Sequence, residues 1–147
     1  MSVAWGLVVI VSSMLAWGGQ LLSWLAPDLA VRLGLTESDS VDRTFWLDLR
    51  AEAGWDSFIL WTMPLAGVLL LADHDWWRYF GLIGGGSFLY FAGRGMFVRV
   101  TMRRHQVPIG SASDVRAGLV ALAIWGVIAI VTIVASIASL EQAAGST

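Results

Sequence analysis

The chain alternates long apolar runs with short polar ones, and the lengths of those runs set the reading. Residues 1–27 carry no charge, and neither do Ala117–Leu140, a run of 24. An α-helix needs about 20 residues to cross a hydrocarbon core, so each run predicts a transmembrane helix, over about 3–26 and 116–140. Two shorter apolar runs lie between them. Ser57–Ala72 has 16 residues and Tyr79–Gly93 has 15, and the polar turn Asp73-His74-Asp75-Trp76-Trp77-Arg78 separates them. Helices joined by so short a turn are antiparallel neighbours. To reach full length each must take in a charged residue at its far end. The second runs back through Asp56 to Glu52, over about 52–72, and the third runs on through Arg94, over about 79–98. The expected fold is therefore an all-α integral membrane protein, a single domain of four bundled transmembrane helices with polar connections at 27–51 and 99–115.

The first connection is too long for a plain turn. Asp28–Leu33 reads as a short interfacial helix that shows Leu29, Ala30 and Leu33 to lipid and stops at Gly34. Thr36–Asp42 reads as an acidic turn, and from Thr44 a helix runs on into the second span. Pro64, midway along that span, has no backbone N–H to donate and predicts a kink.

Composition sharpens the picture. Of 147 residues, 57% are hydrophobic and 14% charged, with a mean hydropathy of +0.72; soluble domains average about 45–50% and 25%. The nine basic residues are all Arg, against eleven acidic ones, for a net charge of −2. With no basic patch, this balance excludes a nucleic-acid partner. The absence of Cys excludes disulfides, thiolate metal sites and cysteine nucleophiles. Arg32, Arg43, Arg50, Arg99, Arg103, Arg104 and Arg116 fall on one side of the bundle and Arg78 alone on the other. The positive-inside rule then puts both long connections in the cytoplasm and both termini outside. The Lys-free, Arg-, Ala- and Gly-rich composition points to a bacterial inner membrane. Of the nine tryptophans, Trp5, Trp24, Trp55, Trp76 and Trp77, together with Tyr79, fall near predicted helix ends, where aromatic belts form.

Candidate chemistry is confined to the few polar positions the membrane must hold. Asp56 and Arg94 have opposite signs, adjacent helices and similar depth, so they are expected to form an ion pair, joined by Glu52. Gln20 lies at similar depth on the first helix, on one face with Ser13, Ala16 and Ser23; Ser87, Tyr90 and Arg94 share a face of the third. These stripes are expected to converge on a polar pocket in the cytoplasmic leaflet, either a staple for the bundle or a binding site. Asp48, Glu52 and Asp56 recur at i, i+4 and i+8 and are the candidates for a divalent metal. The paired His of helical carboxylate sites is missing, and Arg50 and Arg94 are placed to neutralise the stripe. On the third helix Gly81-x-x-x-Gly85 fits close helix packing, with Gly86 and Gly93 as a second smooth face.

No serine has a His at plausible depth to act as its base, and no catalytic motif stands out. No cofactor is expected. The function expected first is non-enzymatic: a membrane protein that acts by association, as a homo-oligomer or as an accessory subunit of a membrane complex. The rival is a small channel or carrier for an ion or small solute, using the polar pocket. A metal-dependent membrane enzyme is the third reading.

Overall fold

A computed structural model of the chain describes residues 3–36 and 41–145. Among these, every regular element is an α-helix: α1 (Val3–Leu25), α2 (Pro27–Arg32), α3 (Arg43–Ile59), α4 (Thr62–Leu71), α5 (Trp77–Arg104) and α6 (Ala112–Ala144). Three stretches are long and apolar enough to cross a membrane: α1, α3 and α4 taken together, and α6. At 28 residues α5 spans about 42 Å, but its glycines and Arg94 dilute its apolarity.

The helices reach further than the apolar runs because their ends are capped in the polar segments. Asp42 accepts from the Thr44 and Phe45 amides and starts α3, and Ser111 accepts from the Asp114 amide and starts α6. The second expected helix therefore begins at Arg43 rather than 52, the third continues to Arg104 rather than 98, and the last covers Ala112–Ala144 rather than 116–140. In the first connection, α2 ends in a Schellman closure: Gly34 adopts φ +68°, and the Leu35 amide donates to the Ala30 carbonyl. Leu29 and Leu33 are exposed, but Ala30 is fully buried and does not face lipid. Of the expected turn at Thr36–Asp42, residues 37–40 lie outside the described residues.

Between α3 and α4 the helix breaks at Leu60–Trp61, four residues before Pro64. The proline ring has no N–H for the Leu60 carbonyl, which accepts instead from the Met63 amide at 3.2 Å. Side chains serve the neighbouring carbonyls: Thr62 Oγ1 donates to Ile59 and Trp61 Nε1 to Phe58.

Long helices alternate in direction, and glycines set how closely they meet. α1 crosses α4 where Gly67 meets the Gly6 carbonyl, and a Cβ built on Gly67 would lie 3.2 Å from it. α5 meets α4 where Gly84 abuts the Met63 backbone, and meets α6 where Gly85 faces Ile133 and Gly81 faces Ser136. Gly86 and Gly93 have nothing within 4 Å of a Cβ position. The expected second smooth face therefore packs against no part of the chain, because it lies on the outward side of α5.

The distribution of side chains inverts that of a soluble protein. Large apolar residues such as Leu15, Phe97, Val127 and Val134 are exposed, while Ser13, Thr132 and Ser136 are buried. Ser13 and Thr132 donate back to the carbonyl four residues earlier, so they pack as small residues without an unmet donor. Of the belt aromatics, Trp24, Trp55, Trp76 and Tyr79 are exposed; Trp77 is buried and Trp5 packs against the core. Val9, Leu60, Met63, Phe88, Phe91 and Ala129 form the main core. A second, smaller core of Val41, Phe45, Ile109 and Val115 ties the start of α3 to the α5–α6 connection, where the Asp42 amide donates to the Pro108 carbonyl at 2.8 Å.

Candidate functional site

The α3 face that carries Asp48, Glu52 and Asp56 looks toward α5, and one arginine answers two of them. Arg94 Nη2 lies 2.5 Å from Asp48 Oδ1, and Nη1 lies 2.6 Å from Glu52 Oε2. Asp56 is outside ion-pairing distance of Arg94, contrary to the direct pair expected from the sequence. The reason is register. Gly84 against Met63 fixes the antiparallel alignment and puts Arg94 level with Ala53. From there its side chain extends toward the Arg-rich end, as long cationic side chains do when they reach for the interface. Asp56 stays one turn deeper, 2% exposed, with no hydrogen-bond partner for Oδ2.

The other expected pocket residues divide. Ser87, Tyr90 and Arg94 do share a face of α5, but that face looks outward and only Arg94 is long enough to reach back to α3. Tyr90 is 62% exposed, and Ser87 Oγ donates to the Ile83 carbonyl on its own helix. Gln20 and Glu52 are brought together, as lining residues of one cavity.

That cavity is a substantial concave feature of the described residues. It has a volume of about 740 Å³ and lies between α1, α3, α5 and α6, toward the end where α2 and the α5–α6 connection sit. Gly19, Gln20 and Ser23 line it from α1, Ala117, Gly118 and Ala121 from α6, and Phe91 and Arg99 from α5. It exists because α1 and α6 diverge: α1 leans on α3 and α4, α6 leans on α5, and the two meet where Trp125 Nε1 donates to the Ser12 carbonyl at 3.0 Å. The volume falls within the range of about 300–1,000 Å³ typical of small-molecule sites.

Sequence reasoning missed Arg99, Phe91 and Trp125 as chamber residues. Arg99 reads as a loop residue, yet it lies within α5, its Nη1 donating to the Gly95 carbonyl and its guanidinium 5.8 Å from the Phe45 ring centroid. A usable signal was present in the facing small-residue stripes, Ala16-Gly19-Ser23 on α1 and Ala117-Gly118-Ala121 on α6. Such stripes usually mark close contact, and here they line a gap.

Metal ligation finds no support in the arrangement. Among the described residues no three His, Asp or Glu side chains are placed to hold an ion, and Arg94 occupies the position between Asp48 and Glu52 that a cation would need. In the opposite turn, His74 Nδ1 accepts from the Trp76 amide and Asp75 pairs with Arg78 at 2.9 Å, so those groups serve the turn itself.

No protein-family model, no curated protein and no solved structure matches the chain.

Proposed function

We propose that the chain is a four-pass protein of a bacterial inner membrane that admits a small solute to the chamber between α1 and α6, from the side that carries most of its arginines. The chamber is the observation that carries this reading. It is large enough for a small molecule, its walls are part apolar and part polar, and Glu52 and Gln20 stand in it. Four passes are supported by the position of α5, packed along both α4 and α6, so that its Gly81, Gly84 and Gly85 face is covered by protein. The Arg distribution supports a cytoplasmic mouth and external termini.

The chain has no Cys, which makes the test direct. Gly19 lines the chamber and has open space at its Cβ position, whereas Gly86 has open space on the apolar outer surface. Gly19→Cys is expected to react with a small charged methanethiosulfonate reagent supplied from the Arg-rich side of membrane vesicles, and Gly86→Cys to stay unreactive. An unreactive Gly19→Cys would remove the chamber as a water-accessible site.

Association is the second reading, and one observation favours it. Gly81, Gly84 and Gly85 are used within the chain, but Gly86 and Gly93 present a smooth strip to the surroundings, suited to a helix of another copy or another membrane protein.

A further inference from the structure

The charges on the α3 face beside the chamber do not balance. α3 contributes three carboxylates, Asp48, Glu52 and Asp56. Two guanidinium groups answer them: Arg94, paired to Asp48 and Glu52, and Arg99, which lines the same chamber as Glu52. Arg50 is turned away, over the Trp46 ring at 5.0 Å and toward the Trp24 carbonyl. Two guanidinium groups against three carboxylates leave one negative charge over on this face, and Asp114, at the exposed rim of the chamber, adds a further carboxylate to its lining. The Glu52 side chain is only 8% exposed, and while Oε2 is held by Arg94, Oε1 has no hydrogen-bond partner. A buried carboxylate oxygen without a donor is costly, and here it belongs to a residue that lines a chamber large enough to hold one.

Resting on the chamber reading, we infer that the occupant is a monovalent organic cation, a primary ammonium on a compact apolar or aromatic body. The ammonium donates to Glu52 Oε1 and supplies the missing positive charge. The body lies against Leu15, Phe91, Leu122 and Trp125, which line the same space. A bare metal ion would need several oxygen ligands and would leave these apolar walls uncovered. A free amine and the headgroup of an ethanolamine lipid both present this chemistry.

The test uses the full chain in a maltoside detergent, titrated calorimetrically with benzylammonium and, as its neutral counterpart, benzyl alcohol. Benzylammonium is expected to bind saturably, with benzyl alcohol weaker by about ten-fold or more, and Glu52→Gln is expected to weaken benzylammonium binding by about ten-fold or more. Displacement of benzylammonium by dihexanoyl phosphatidylethanolamine, but not by the matching phosphatidylglycerol, assigns the cation to lipid; no displacement assigns it to a soluble amine. Should Glu52→Gln fail to fold, the comparison of the two probes on the unaltered chain decides. Equal binding of both probes, or no benzylammonium binding by a protein whose Gly19→Cys variant still reacts with the thiol reagent, overturns the cation and keeps the chamber. An unreactive Gly19→Cys overturns the chamber itself.

Discussion

Arg94 holds Glu52 across the α3–α5 interface at 2.6 Å and Asp48 at 2.5 Å, while Asp56, one turn deeper on the same face, has no such partner. Truncating Arg94 strands two carboxylates at once. Arg94→Ala is expected to cost about 3–5 kcal/mol, less what water reaching Asp48 recovers. The double variant Arg94→Ala with Glu52→Ala is expected to cost less than the sum of the single changes, since neither partner is then left alone. Thermal unfolding in detergent measures both; additive losses would mean that the two side chains are not energetically coupled.

Asp56 is expected to behave differently from its neighbours on α3. Asp56→Asn keeps the shape, removes a buried charge that no Arg answers directly, and is expected to hold or raise the melting temperature. The cycle of Asp56→Ala with Arg94→Ala is expected to show weaker coupling than the Glu52 cycle. A coupling as large as that of Glu52 would place Asp56, and not Glu52, as the main partner of Arg94.

Two glycines of one helix are expected to respond in opposite ways to the same methyl group. A Cβ at Gly84 would sit 2.7 Å from the Met63 backbone nitrogen and Cα, while a Cβ at Gly86 meets nothing within 4 Å. Backbone cannot move aside as a side-chain tip can, so Gly84→Ala is expected to lose about 1–3 kcal/mol. Gly86→Ala is expected to gain about 0.5–1 kcal/mol from restricting the unfolded chain. Melting temperatures of the two variants, measured side by side, check both signs.

Orientation is checked by single cysteines at exposed, described positions on opposite ends of α6. In intact cells Ser113→Cys is expected to resist an impermeant thiol reagent and Glu141→Cys to react. The reverse pattern would turn the chamber mouth to the outside.

The association reading has its own test. Replacing both Gly86 and Gly93 by Leu is expected to lower the particle mass of any oligomer while leaving the melting temperature of the protomer close to its starting value, because nothing inside the chain touches either position. An unchanged mass would remove the strip as a contact face.

The sequence carries the helices well and the site unevenly, for physical reasons that differ by residue. The break before Pro64 is legible because a missing N–H is a local fact. Helix ends at Asp42 and Ser111 were within reach of capping rules, but the apolar runs began later or ended sooner than the helices, since charged residues such as Arg99 and Arg103 stay helical beyond the apolar run. That Arg94 would meet a carboxylate of α3 follows from the short hairpin; which carboxylate depends on a register set ten residues away by Gly84 against Met63. The chamber depends on the divergence of α1 from α6, two helices a whole chain apart, and no local pattern encodes that angle.

The two walls of the chamber belong to different partnerships: α1 is borne by α3 and α4, and α6 by α5. The aperture is accordingly governed at a distance. The α4–α5 seam acts as a fulcrum, with Gly84 and Met63 at the pivot and the α1 and α6 walls as the two arms. Trp125, bonded to the Ser12 carbonyl, is a latch across the arms. A substitution that thickens the pivot by one methyl group is expected to change the angle between the arms without touching any residue that lines the space between them.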